Sequence, residues 1–462
     1  MLTPSPQAVA RPGGQPKLEV GNSSGSFSTA AGGLKSTTGA TPALSASLIL
    51  LAPLPPGQQE ADGSDYKILL LQRHSRSRTY EGAWVFPGGN VDPVDSSPAL
   101  LRFLPSSSSS SSHDPFSARS PALLRTLKLT ALRETFEESG LLLLSPGTGR
   151  ERWEKMGREE RAEWRKRVSE RAGELEGLLE RLGGEGEEEV ELEGEGMREW
   201  GRWITPEGLP RRFDTTFFIA FLPSFSSSPG SSSPALSSSS PSPPSNEYLL
   251  ATPDGIETSS ISWLTPSEAI RRALLYTQRL KAKAGRSSTE SEEEEGEVML
   301  LHPPQFNLLC ELAQCYRSYR SLLLPGEGEG GGGREMVVKS RKVVTYLPRS
   351  IHVPLPSAGE GGGEGTRTRR AMALPGDEFY DSVAGAAGGA QEAVEGGGGK
   401  KEGRRNRTYV LPPEKGKAGL IVEGVHREGM EEVLGEGWAD MQAGDTLSGS
   451  SLNPSPVSQA KL

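Results

Sequence analysis

From Ser45 onward the chain alternates between short apolar runs and polar breaks. Ser45–Leu51 (SASLILL) and Tyr66–Leu71 (YKILLL) are short, aliphatic and separated by the turn residues Pro55–Gly57, the pattern of two strands. A third strand is expected at Ala83–Phe86, ended by Pro87-Gly88-Gly89. The period then changes. Pro121–Ser139 reads as a helix stopped by Gly140. Within 150–183, Trp153, Met156, Trp164, Val168, Leu175, Leu179 and Leu182 recur at helical spacing, which predicts an amphipathic helix or a helical hairpin. Arg211–Leu222 (RRFDTTFFIAFL) reads as a buried strand. Strand-like Ser260–Leu264 leads into Thr265-Pro266-Ser267-Glu268, a helix start with a good N-cap, and a last helix follows Pro303-Pro304. Beyond Pro325, short strands are expected at Val337–Leu347, Arg370–Leu374 and Thr408–Leu411, set in Gly/Glu linkers.

Composition divides this pattern. Of 462 residues, 57 are Gly and 36 Pro, and only 34% are hydrophobic. Much of the excess lies in tracts: Ser106–Ser112, 183–196, 224–245 and 287–297. The expected organisation is a disordered tail at 1–40 and an α/β domain at 41–325. That domain would carry insertions at about 96–120, 145–199, 224–246 and 283–297. A β-rich extension at 336–430 and a flexible tail at 431–462 would follow.

Charge and cysteine content exclude some functions. A net charge of −9 offers no overall attraction to nucleic acid or to an anionic membrane. An anionic substrate therefore needs a local basic site or a metal ion. Cys310 and Cys315 lie in a helix-like apolar stretch and read as reduced core thiols, and the five histidines are scattered, so a zinc site is not expected. No run approaches the ~20 apolar residues of a membrane helix. No basic-then-apolar signal opens the chain, so a soluble, unsecreted protein is expected.

The chemistry points to Arg133-Glu134-Thr135-Phe136-Glu137-Glu138-Ser139-Gly140-Leu141. On a helix Glu134, Glu137 and Glu138 share one face, while Leu129, Leu132 and Phe136 share the opposite, buried one. Acidic helix faces are usually just solvated. Three carboxylates this close nevertheless repel unless a cation sits among them, and oxygen-only ligands suit Mg²⁺ or Mn²⁺.

Phe86-Pro87-Gly88-Gly89 together with Arg133–Leu141 resembles the Nudix box: Gly, five residues, Glu, seven residues, then Arg-Glu-aliphatic-x-Glu-Glu-x-Gly-aliphatic. Gly89 matches the first Gly. Asp95 stands where the first Glu is usual, Thr135 replaces an aliphatic residue, and about 30 extra residues separate Asp95 from Arg133. The resemblance implies a Nudix fold, an α/β/α sandwich with a mixed sheet. It also implies that Glu134, Glu137 and Glu138 hold Mg²⁺ or Mn²⁺, that Glu134 is a possible general base, and that Arg133 orients the carboxylates. Glu257 and Asp254 are both candidates for a further remote acidic ligand.

Upstream, Leu69-Leu70-Leu71-Gln72-Arg73, Arg78, Gly82 and Phe86-Pro87-Gly88-Gly89 resemble the coenzyme A signature of some Nudix diphosphatases, with Leu71 and His74 departing from it. Arg73, Arg78, Gly82, Gly88 and Gly89 would then bind substrate, the two arginines meeting the 3′-phosphate. The inserted box, Arg211–Phe218, Ser262–Ala269 and Pro303-Pro304-Gln305-Phe306 are similar to the peroxisomal coenzyme A diphosphatases of the Nudix motif 19 type. That resemblance implies hydrolysis of coenzyme A or acyl-coenzyme A to adenosine 3′,5′-bisphosphate and 4′-(acyl)phosphopantetheine. The closing Ala460-Lys461-Leu462 is similar to a peroxisomal address, so a peroxisomal import receptor is the expected partner, with a cytosolic protein if it is not read. The competing readings are a diphosphatase for NADH, ADP-ribose or another nucleoside diphosphate, and a Nudix-fold binding protein without turnover. The helices of 150–182 would be either part of the substrate site or a solvated surface insertion.

Overall fold

The run at Ser45–Leu51 lies at the centre of the fold as strand β1 (Ala43–Pro53). The computed structural model describes residues 41–105 except 56, 78 and 79; 119–222 except 185–189, 195, 208 and 210; 251–285; 296–325; 336–338; 343–354; 368–377 except 376; 380; 391–392; 404–412; 419–428; and 441–444. The expectations for the 1–40 tail, Arg78, Ser106–Ser112, the 224–245 tract, most of 287–297 and Ala460–Leu462 fall outside these residues.

β1 pairs antiparallel with β2 (Tyr66–Arg73) and with the short β4 (Gly88–Asn90), and parallel with β6 (Phe213–Phe221). Beyond β6 lie β5 (Arg198–Ile204) and β11 (Thr345–Tyr346). Beyond β2 lie β3 (Ala83–Val85) and β8 (Leu300–Leu301), and β7 (Thr258–Leu264) also pairs with β2. Parallel pairs β1–β6, β3–β8 and β5–β11 make the sheet mixed.

The alternation along β1 builds two cores, because successive side chains point to opposite faces. Leu48 and Leu50 pack with α2 (Pro121–Ser139), α3 (Thr148–Lys155), α4 (Arg158–Glu170) and α5 (Glu174–Gly183). Ile49 and Leu51 pack on the other face with α6 (Pro266–Gly285) and α7 (Pro303–Cys315). This is the expected α/β/α sandwich. The segment 150–183 forms three helices rather than one or two. Its Trp153, Val168, Leu175, Leu179 and Leu182 are buried, as the spacing required. The insertion placed at 96–120 is ordered at its start: a one-turn helix α1 (Pro98–Leu101) buries Leu100, and Phe103 and Leu104 follow it into the core.

After α7 come the paired strands β9 (Leu323–Pro325) and β10 (Met336–Val338). A second sheet follows, from β12 (Arg349–Pro354), β13 (Thr368–Ala373), β14 (Gln391–Glu392), β15 (Arg405–Leu411), β16 (Ile421–Glu428) and β17 (Met441–Gly444). The run Val337–Leu347 is therefore not one strand. It is divided between β10 and β11, which pair with different partners. β17 lies inside the stretch expected to be a flexible tail, held by pairing with β16. Leu374, Val422 and Val425 join the α6/α7 core, and Thr277 donates to the Val422 carbonyl at 2.8 Å. Both cysteines are free; Cys310 is buried and Cys315 half-buried on α7. Among the described residues no helix is long and apolar enough to cross a membrane.

Candidate active site

The acidic end of α2 is held by its caps. Ser120 accepts from the Leu123 N–H, Pro121 opens the helix, and Gly140 closes it with a φ of 76°, its N–H bonded to the Phe136 carbonyl. Leu129, Leu132 and Phe136 are buried, which turns the glutamate face toward β4. There Arg133 is the hub. Its Nε and Nη2 donate to the two oxygens of Asp95 at 2.8 and 2.9 Å. Its Nη1 donates to Glu137 at 2.7 Å and lies 3.0 Å from Glu134 Oε1. Asp95 is fully buried and also accepts from the Thr130 hydroxyl and the Asp92 N–H.

The Gly88-Gly89 pair lets strand and helix meet. Gly88 has a φ of 153°, and a Cβ there would stand 2.4 Å from the Ala46 carbonyl oxygen. A Cβ on Gly89 would stand 2.5 Å from the Glu134 carboxyl carbon. The Gly88 N–H donates to Glu138 at 2.9 Å. Glu138 therefore does not face solvent as its helix position suggested; it is only 4% exposed, under β4.

One guanidinium does not neutralise this cluster. Burial, set against Arg133 and reinforced by Glu137, raises the Glu134 carboxyl to about 7. Burial also raises Glu137. Burial and the Glu134 charge push Glu138 well above the carboxylate range, against the pull of the Gly88 N–H and Arg73. Among the described residues no three acidic, His or Cys groups already form a metal cage. The donor set nevertheless fits a hard divalent cation: it is all oxygen, crowded and short of positive charge. Of the two remote acids, Glu257 adds to the repulsion on all three glutamates. Asp254 instead accepts the N–H groups of Ile256, Glu257 and Thr258, shaping the turn that presents Glu257.

The glutamates open onto a cavity of about 1700 Å³. Arg73 lines it beside Glu138, and Ser45, Ser47, Gly88 and Gly89 form the wall under α2. One face of α4 and Trp153 of α3 line another side; His302, Met372 and Leu420 line a third. Arg165 joins insertion to helix: its Nε donates to the Glu137 carbonyl at 2.8 Å and its Nη1 to Thr252 at 3.2 Å.

Residues 43–274 match the model of the family described as the NUDT19 Nudix domain. The chain belongs to the Nudix hydrolase family. It is similar to the acyl-coenzyme A diphosphatase NUDT19 of Gallus gallus, 30% identical over 303 residues covering 58% of this chain and 67% of that protein. The Xenopus laevis protein of the same name is 29% identical over 242 residues, 46% of this chain and 56% of the relative. The chain thus spans between half and two thirds of these curated relatives. A NUDIX hydrolase structure from Alicyclobacillus acidocaldarius is similar at 20% identity and a TM-score of 0.37, covering 59% of this chain and 91% of that one.

Within this Nudix domain the residues singled out in the sequence are mostly neighbours. Glu134, Glu137, Glu138, Gly88, Gly89 and Arg73 converge on one cavity, with Arg133 buried behind the glutamates and bonded to them. Gly82 does not line it; a φ of 68° with open space around its Cβ position marks it as the turn residue before β3. Arg78 is outside the described residues. The helical insertion lines the cavity, which its own sequence left open. Tyr80 and His302 were not singled out. Their rings lie 4.5 Å apart, and His302 Nδ1 is 3.1 Å from the Leu420 carbonyl oxygen, linking the loop before β3 to the C-terminal sheet. Tyr80 falls at an unspecified position between Arg78 and Gly82, and His302 just before Pro303-Pro304, so only the fold reveals the link.

Proposed function

We propose that this Nudix hydrolase cleaves the diphosphate of coenzyme A or its acyl esters, giving adenosine 3′,5′-bisphosphate and 4′-(acyl)phosphopantetheine. The observation that carries the reading is the Asp95–Arg133–glutamate cluster facing the Gly88-Gly89 wall and Arg73 across one cavity. The names of the relatives and the signature around Arg73 favour coenzyme A among nucleoside diphosphates.

Glu134, Glu137 and Glu138, with Glu257, would hold Mg²⁺ or Mn²⁺, which when bound neutralises a diphosphate and makes a water more acidic. Arg133 keeps Glu134 and Glu137 in register by charge-assisted hydrogen bonds. Gly88 fixes Glu138 by its N–H. Glu134, facing the cavity from α2, is the carboxylate placed to take a proton from an attacking water. Arg73 meets the diphosphate from β2. Incubating the protein with coenzyme A, with and without added Mg²⁺ or Mn²⁺, and identifying the products by mass spectrometry tests this. Both named products, formed only with metal, are expected. No turnover with either metal would leave a binding protein instead.

The proposal extends to location. Where Ala460-Lys461-Leu462 forms the free carboxy-terminus, it would be read by the peroxisomal import receptor. Fluorescently tagged protein should lose its peroxisomal position when the tripeptide is removed; an unchanged position contradicts this address.

A further inference from the structure

The charges of α4 are sorted by face. Arg158, Arg161, Arg165 and Lys166 line the cavity, together with the small residues Ala162 and Ser169; Glu170, at the far end, is the one carboxylate of α4 in the wall. Glu159, Glu160 and Glu163 stand off it. Spacings of three and four residues place Arg158, Arg161 and Arg165 in one row along the helix, and Lys166 flanks it in the cavity wall. A run of charges serving only solubility has no reason to divide this way.

The row extends well past the glutamates. Arg165 lies at their end, bonded to the Glu137 carbonyl. Arg161 and Arg158 follow toward the helix N-terminus, about 6 and 10 Å further along the axis at 1.5 Å per residue. Arg161 stacks over Trp153 at 5.2 Å, and Trp153 packs edge-on against Phe136 of α2, so this part of the row is held to the catalytic helix. Arg161 Nε and Arg165 Nη2 are buried with no hydrogen-bond partner among the described residues. Buried guanidinium N–H groups are normally satisfied, so a small turn of these side chains toward an anion in the cavity they line would give them the partner they lack. Arg73 approaches the glutamates from β2 and so serves the scissile end.

We propose that this face of α4 is a second anion subsite, which takes a phosphate monoester carried by the substrate away from the scissile diphosphate. Resting on the proposed function, that group is the 3′-phosphate of coenzyme A, and the helical insertion, more than Arg73, distinguishes coenzyme A from diphosphates that lack it.

Binding tests the subsite without hydrolysis. Calorimetric titration with adenosine 3′,5′-bisphosphate and with adenosine 5′-monophosphate should show the bisphosphate binding roughly tenfold or more tightly, the scale of one hydrogen bond to a charged group. Arg158 and Lys166 are exposed, so the double variant Arg158→Ala, Lys166→Ala leaves the packing of α4 intact. It should abolish most of that preference, while Glu163→Gln, outside the cavity wall, should keep it. Equal binding of the two nucleotides by the wild-type protein, or a preference that survives the double variant, overturns the subsite. A wild-type protein that shows the preference yet hydrolyses ADP-ribose rather than coenzyme A refutes the proposed function and leaves the subsite standing. One that hydrolyses coenzyme A without the preference does the reverse.

Discussion

Asp95 and Arg133 are 38 positions apart and meet through two hydrogen bonds of 2.8 and 2.9 Å, both side chains almost fully buried. The long insertion in the box therefore leaves its acid–arginine pair closed, and Asp serves where Glu is usual. Removing Asp95 takes the carboxylate partner from Arg133 Nε and Nη2 while Glu134 and Glu137 still offset its charge, so the cost is that of hydrogen bonds to a charged group, about 1.5–3 kcal/mol. Asp95→Ala should lower the free energy of urea unfolding by that amount and also lower kcat, because Arg133 positions Glu134 and Glu137. Unchanged stability would mean that Arg133 finds another partner.

Glu138→Gln separates charge from packing. The amide oxygen can still accept the Gly88 N–H, so the fold is kept. Turnover should fall by ~10²–10⁴, the scale of losing a positioned catalytic group. The folded-state carboxyl is raised, so its ionised form is disfavoured by folding, and this cost grows as pH rises above the usual carboxylate range. Without added metal, the variant should be at least as stable as the wild type at pH 8. A large loss of stability with retained turnover would contradict the assignment.

The two glycines should fail differently. Gly89→Ala pushes on the movable Glu134 carboxylate, so kcat should fall roughly 10²-fold, the cost of a small misplacement, with little change in melting temperature. Gly88→Ala meets the Ala46 carbonyl in a backbone conformation that alanine rarely adopts, so its main effect should be unfolding. Thermal melts beside steady-state kinetics distinguish the two.

His302 gives the protein an acid sensitivity remote from the glutamates. Burial lowers its imidazole from 6.5 to about 4, opposed by its contact with the Leu420 carbonyl. The unfolded chain therefore binds the proton more readily, and stability from this group, present above pH 6.5, is lost as pH falls to about 4. The loss is on the order of 3 kcal/mol at 1.36 kcal/mol per pH unit. His302→Gln should flatten the stability profile over that window; an unchanged slope would assign it to other groups.

Much of this was legible locally. The caps of α2, the alternation in β1 and the spacing of Trp153, Val168 and Leu175 each depend on neighbours in sequence, and the elements formed where they pointed. The burial of Glu138 was not legible, because β4 reaches it only through the sheet. That Asp254 is engaged by the N–H groups of its own turn while the Glu257 charge acts on the three glutamates was not legible, because it depends on the turn between them. β16 and β17 lack a strong apolar run, and their strand character comes from pairing. The cations of α4 were visible as residues, but the cavity that gives them a common direction was not.

The central claim is that this Nudix site hydrolyses coenzyme A. The most direct measurement is kcat/KM for the purified full chain on coenzyme A, NADH and ADP-ribose under one saturating concentration of Mg²⁺ or Mn²⁺. The prediction is a value for coenzyme A at least roughly tenfold above the other two, corresponding to about 1.4 kcal/mol of transition-state discrimination. Equal values, or a higher one for NADH or ADP-ribose, would contradict it.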